Sequence, residues 1–254
     1  MMKNDVKIKA VGLKIGYGDF VLLKDADFVI NKHDIFIIMG GSGCGKSSML
    51  RVLTGLVKPL EGKIFVDDVD FLAADTITRN QIMQTSGILY QSGALFSSMT
   101  LAENIALPLQ LYRNYSPEEI REIAALKLAL VGLKGFEDYY PSEISGGMKK
   151  RAGLARALAL DPDVVYFDEP SAGLDPVSSK LLDDLILDIN HNLGTTIVIV
   201  THELSSIFAV GNNSIFLDGE TKSILARGNP KELLKNPPHE KVFQFLTRGG
   251  EKNA

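Results

Sequence analysis

The residues best suited to chemistry form one unbroken run. Gly40-Gly41-Ser42-Gly43-Cys44-Gly45-Lys46-Ser47 fits the spacing G-x-x-x-x-G-K-[ST]. Glycines at 40, 43 and 45 permit backbone conformations that a side chain blocks, so the loop N–H groups can converge on phosphate oxygens. A helix opening just after the loop adds the positive end of its dipole. Lys46 can then reach the β- and γ-phosphates, and the Ser47 hydroxyl can ligate Mg²⁺. Further along, Val164-Val165-Tyr166-Phe167-Asp168-Glu169 is an apolar run ending in two carboxylates. Asp168 suits the hydration shell of a Mg²⁺ held together with Ser47, and Glu169 suits a base for an attacking water. His202, in Thr201-His202-Glu203, follows another apolar run and is placed to meet a γ-phosphate or that water. Ser145-Gly146-Gly147 precedes a helical run from Met148 to Leu160 and reads either as a second anion-binding helix start or as a flexible hinge.

Flanking elements decide whether the first octet is more than a turn with a chance lysine. Ile35 to Met39 is an apolar run of strand length, and Ser48 to Leu53 is helix-compatible with Gly55 to end it. Strands are also expected at Val6–Val11 and Val21–Ile30, parted by Gly16-Tyr17-Gly18, then at Lys63–Val66 and Gly87–Tyr90. The middle is helical: Ser116-Pro117-Glu118-Glu119 is a capping box with proline in the first turn, followed by Ile120, Ile123, Ala124, Leu128 and Val131. Beyond residue 160, strands at 164–167, 196–200, 214–217 and 223–226 alternate with a helix whose apolar face is Leu181, Leu182, Leu185, Ile186 and Ile189. That alternation predicts a largely parallel sheet covered on both faces, with the helical middle inserted into it.

A net charge of −4 argues against a nucleic-acid surface. Lys149-Lys150-Arg151, a basic triplet, reads as a solvated helix face. The one cysteine, Cys44, cannot form an internal disulfide and reads as a small residue that fits its loop. No run of about 18 apolar residues exists, and the first residues, Met-Met-Lys-Asn-Asp, lack an apolar signal core. A cytoplasmic protein is expected, one that touches the inner face of the plasma membrane only through a partner.

Taken in order, these motifs resemble the ATP-binding subunits of ABC transporters. Tyr17 resembles the aromatic that stacks on adenine, 40–48 the Walker A loop and Gln91 the Q-loop glutamine. Residues 145–149 resemble the signature motif, 164–169 Walker B, 171–175 the D-loop and His202 the switch histidine. The resemblance covers about residues 6–235. It implies an α/β fold with a P-loop NTPase (RecA-like) core, a mainly parallel sheet, an N-terminal antiparallel β subdomain and an inserted α-helical subdomain. The core would take residues 6–90 and 160–235, the helical subdomain about 91–159, and a tail 236–254. Also implied are ATP and Mg²⁺ as ligands and a head-to-tail homodimer with ATP between one copy's phosphate loop and the other's Ser145-Gly146-Gly147. Gln91 would sense both Mg²⁺ and an integral membrane permease, and Asp175 would join the two sites.

Two positions depart from that pattern: Met148 stands where the family usually has Gln, and His33-Asp34 where it has Gly followed by an acid. Met148, with Tyr90-Gln91-Ser92-Gly93-Ala94-Leu95-Phe96 and the run 145–161, is similar to Mla-type phospholipid transport ATPases, which work with Mce-domain lipid-binding proteins. Motors of amino-acid importers, lipoprotein-release systems or the cell-division complex are the alternatives, as is a non-transport ABC regulatory ATPase. Residues 91–108 are expected at the permease, their apolar side chains shared between interface and core. In the tail, Val242, Phe243, Phe245 and Leu246 form a short apolar segment expected to dock on the core or on the second copy.

Overall fold

The computed structural model describes residues 5–250; of the N-terminal residues read above, 1–4 lie outside them, as do 251–254. The chain opens with β1 (Val6–Tyr17), β2 (Phe20–Asn31), β3 (Ile35–Gly40), α1 (Lys46–Leu53), β4 (Glu61–Val66), β5 (Val69–Asp70), α2 (Thr76–Gln84) and β6 (Ser86–Leu89). A helical stretch follows: α3 (Leu101–Tyr112), α4 (Pro117–Leu130), a 3₁₀ turn at Pro141–Glu143 and α5 (Gly146–Ala157). The chain then alternates through β7 (Val164–Asp168), α6 (Pro176–Leu193), β8 (Thr196–Val200), α7 (Leu204–Val210), β9 (Asn213–Asp218), β10 (Ser223–Arg227), α8 (Pro230–Lys235) and α9 (Glu240–Leu246).

Two sheets result. One has the order β2-β1-β4-β5 and is antiparallel throughout; the other has the order β10-β9-β3-β8-β7-β6 and is parallel except at β10. Every residue of β3 and β8 is buried, as central strands covered on both faces require. Successive side chains separate into two cores. Ile35, Ile37, Met39, Val165, Phe167, Ile197 and Ile199 join the cluster containing the helical stretch and α6. Phe36, Ile38, Val164, Tyr166, Val198 and Val200 join the cluster beneath α1 and the antiparallel sheet. Lys7 of β1, itself buried, bonds to Asp67 and Asp163 at 2.6 and 2.8 Å and so ties the two sheets together.

β1 runs six residues past the expected Val11. Gly12, at φ 56°, sits in a bulge between Ala10 and Leu13, and its N–H donates to Asp27 Oδ1 at 2.8 Å. The strand thus continues through Gly12 as an accommodated irregularity. The capping box at Ser116 forms as the pattern predicts, and Thr100 with Glu103 makes a second one opening α3. On α6, Leu182, Ile186 and Ile189 are buried, but Leu181 is exposed, so the expected apolar face is narrower than read. Among the described residues no helix is long and apolar enough to cross a membrane.

The chain past 235 packs back on the core through α9. Val242 and Leu246 are buried in the core with the helical stretch, and the Phe245 ring meets Phe216 edge-on at 5.2 Å. Lys241 anchors the same helix to Asp218 at 3.0 Å and Glu220 at 2.6 Å. The apolar segment of the tail thus docks on its own core. Leu246→Ala should cost about 2 kcal/mol, the lower end for a buried leucine because a terminal helix can settle. Urea unfolding of the full chain should show the lowered midpoint; an unchanged midpoint would contradict the docking.

Candidate functional site

The phosphate loop grows from the end of β3. Gly40 has φ 149°, and a Cβ there would lie 2.3 Å from the Leu217 carbonyl oxygen and 2.8 Å from Cys44 Sγ. Gly45, the residue before α1, has φ 100° and supplies no side-chain cap, so the first N–H groups of that helix stay open to a ligand. Lys46 Nζ donates to the carbonyls of Gly40 and Gly41, both at 3.0 Å, and curls over the loop it serves. Cys44 is buried against Gly40, and that burial pushes its thiol above the ordinary range, which suits a packing residue and not a reactive thiolate.

Strands β7 and β8 bring the acids and the histidine to the same edge. Ser47 Oγ donates to Asp168 Oδ1 at 3.1 Å. Glu169 Oε1 and His202 Nδ1 are 2.9 Å apart. A carboxylate only accepts, so Nδ1 carries the proton in this pair. Glu169 adopts φ 49°, a left-handed conformation that costs a non-glycine residue about 1 kcal/mol. Its Oε2 is buried without a partner among the described residues. A cleft of about 510 Å³ collects Gly40–Gly43, Gly45–Ser48, Gln91, Glu169 and His202.

Leu22 also lines this cleft, unremarked in the sequence because one half-buried apolar residue of a strand carries no chemical signal. Tyr17 stands beside the cleft: its hydroxyl lies 3.2 Å from Ser48 Oγ, a contact that lowers its pKa, and its ring is 48% exposed. The donor set fits Mg²⁺. One hydroxyl and one carboxylate are what that ion takes from a protein when phosphates and waters complete its shell. No denser cluster of His, Cys, Asp or Glu exists among the described residues.

Ser145, Gly146, Gly147 and Asp175 are not brought to this cleft. Ser145 caps α5 by accepting from Met148 N–H at 3.3 Å, and Asp175 caps α6 by accepting from Val177 and Ser178 N–H, both at 3.0 Å. Ser145 and Gly147 line a separate hollow with Leu174 and Ser178, and Ser145 and Gly146 are exposed. Met148 packs its thioether against the core, an apolar role that glutamine would not fill. At the other departure, His33 takes φ 66° and donates Nδ1–H to Gly194 O at 2.6 Å, while Asp34 Oδ2 accepts from Asn31 N–H at 2.9 Å. The turn before β3 closes without glycine.

The basic triplet is not a solvated face. Lys150 is 6% exposed and donates to the carbonyls of Pro170 and Ala172, each at 2.6 Å. Burial lowers its pKa, against the raising pull of the nearby Glu169 carboxylate. Arg151 donates to Val131 O at 3.0 Å. Arg156, on the same helix, donates to Ala94 O at 2.8 Å and braces the segment after Gln91.

The geometry agrees with comparisons to known proteins. A family model described as ABC transporter matches residues 23–172. The probable ribonucleotide transport ATP-binding protein mkl of Mycobacterium tuberculosis is 42% identical over 95% of this chain, which spans 66% of that relative's length. The intermembrane phospholipid transport system ATP-binding protein MlaF of Haemophilus influenzae is 34% identical over 97% of this chain and 91% of its own. A dimeric ATP-binding cassette in a post-hydrolysis state with ADP and Pi superimposes with a TM-score of 0.78 at 29% identity, covering 87% of this chain and 98% of that one. The chain therefore belongs to the ABC transporter family, among its ATP-binding subunits.

Proposed function

We propose that this chain hydrolyses ATP as the motor of a bacterial ABC transporter, that two copies clasp the nucleotide head to tail, and that the cargo is phospholipid. One observation carries the enzymatic part: Glu169, whose Oε2 is buried and unpartnered, lines the same cleft as the Gly40–Ser47 loop.

The chemistry follows from that arrangement. The loop N–H groups and the start of α1 bind the triphosphate, and Lys46 turns from the Gly40 and Gly41 carbonyls to the β- and γ-oxygens. Ser47 and Asp168 would hold Mg²⁺, with Gln91 alongside, and the ion would offset the charge of the phosphates. His202 holds the Glu169 carboxylate through Oε1, and that carboxylate orients a water and takes its proton as the water oxygen attacks the γ-phosphorus and the bond to ADP breaks. Tyr17, beside Ser48, would stack on the base.

Half of such a site is lacking in one copy. The outward-facing Ser145 and Gly146 have no anion to bind within their own chain, and a two-fold pair would place them over the partner's γ-phosphate. The dimeric cassette holding ADP and Pi supports this arrangement. Phospholipid as cargo rests on the near full-length likeness to MlaF and on the Tyr90–Phe96 and Met148 features. A Mce-domain protein would then act through the permease.

A groove of about 560 Å³ supports a permease contact. It is lined by Tyr90, Phe96, Leu107, Leu111 and Tyr112, of which Phe96, Leu111 and Tyr112 are 50, 65 and 52% exposed. Leu101 and Ile105 of the same region are core. Tyr90 lines the groove and Gln91 the cleft, so consecutive residues address the two ligands.

Glu169→Gln should lower ATP turnover by about 10²–10⁴-fold while leaving nucleotide affinity in place; phosphate release and equilibrium binding check both, and wild-type-like turnover would refute the assigned base. Glycine substitution tests the cradle. Gly40→Ala should abolish ATP binding because its Cβ meets backbone, whereas Gly41→Ala, with nothing within 4 Å and no left-handed φ, should keep it. Equal behaviour of the two variants would contradict the geometry.

A further inference from the structure

Lys150 is the one member of the basic triplet that is fully buried, and it is spent on two main-chain carbonyls, Pro170 O and Ala172 O. Those carbonyls belong to the turn that follows Glu169. The turn is held from inside by Ala172 N–H donating to Glu169 O at 3.2 Å, and from the sheet by Glu169 N–H donating to Val200 O at 2.9 Å. Glu169 itself sits at φ 49°, a conformation that persists only where its surroundings impose it. Lys150 supplies the third restraint, and it comes from α5, the helix capped by Ser145. A charged donor on paired carbonyls is among the stronger fixings available.

We propose that Lys150 is a positioning residue for Glu169, clamping the 169–172 turn so that the carboxylate and the helix beginning at Ser145-Gly146-Gly147 move as one body. The inference rests on the function proposed above. It adds a physical link: closure of α5 on a second copy's nucleotide is felt at this copy's own Glu169. Lys150 touches no reacting atom. Its effect reaches the chemistry only through the orientation of the Glu169 carboxylate, so its loss falls on turnover and spares nucleotide binding.

A double-mutant cycle in the full chain tests this, with Lys150→Met made in the wild type and in Glu169→Gln, and turnover followed with radiolabelled ATP. Misplacing a catalytic group by about 1 Å can cost 10²-fold, so Lys150→Met should lower kcat by at least ~10-fold. KM for ATP should stay within ~2-fold, and the same substitution should change the residual rate of Glu169→Gln by less than ~2-fold. Lys150→Arg, which returns a charged donor, should recover part of kcat; if Lys150→Met does not fold, Lys150→Gln takes its place in the cycle. Equal losses in both backgrounds, or a kcat within ~2-fold of wild type, would overturn the proposal. Absence of ATP turnover in the wild type would instead strike the proposed function.

Discussion

Three parallel strands end at one level, and the site depends on that alignment. Ile38 of β3 pairs with Val200 of β8, and Val200 pairs with Asp168 of β7. The residues that follow those partners, Gly40, Glu169 and His202, therefore emerge together beyond the carboxyl ends of the strands. A slip of one residue at β7 would turn Asp168 and Glu169 to the opposite faces and remove both from the phosphate loop. The alternating apolar residues prevent such a slip. Val165 and Phe167 fill one core while Val164 and Tyr166 fill the other, and exchanging them would misfit both.

The second constraint is electrostatic. A triphosphate is a concentrated anion, and the loop meets it with backbone N–H groups, the start of α1 and one lysine. Gly40 must be bare of a side chain for that backbone to close against Leu217 and Cys44. The acids nearby would repel the same anion unless a cation stood between, which is where Ser47 and Asp168 meet. Ser145 and Gly146 lie exposed outside that cleft, which fits the proposed service to another copy.

Chemistry encoded in consecutive residues was legible from sequence. The octet 40–47 and the pair Asp168-Glu169 stand out by residue type and spacing, the structure brings them to one end of the sheet, and both flanking strands announce themselves as apolar runs. Features that depend on long-range packing were not. Lys150 sits among like charges on a helix, and nothing local distinguishes a lysine that reaches two carbonyls about twenty residues away from one in solvent. Helix α2 has no buried residue, so it leaves no periodic apolar trace. The continuation of β1 past Val11 escaped notice because a bulge and a break look alike in one chain. The narrow apolar face of α6 has the same origin: Leu181 has helical spacing but no neighbour to cover it. The docking of Val242 and Leu246 was readable as apolar content, though not its destination.

The account stands on ATP being enclosed between two copies, with Ser145-Gly146-Gly147 of one completing the cleft of the other. Sedimentation of the Glu169→Gln protein with Mg²⁺ and ATP tests this most directly, alone and with Ser145→Arg added. A mass of twice the 27.7 kDa chain, falling to one chain on adding Ser145→Arg while ATP stays bound, is the predicted result. An ATP-loaded protein that remains a single chain, or a pair indifferent to Ser145→Arg, would contradict it.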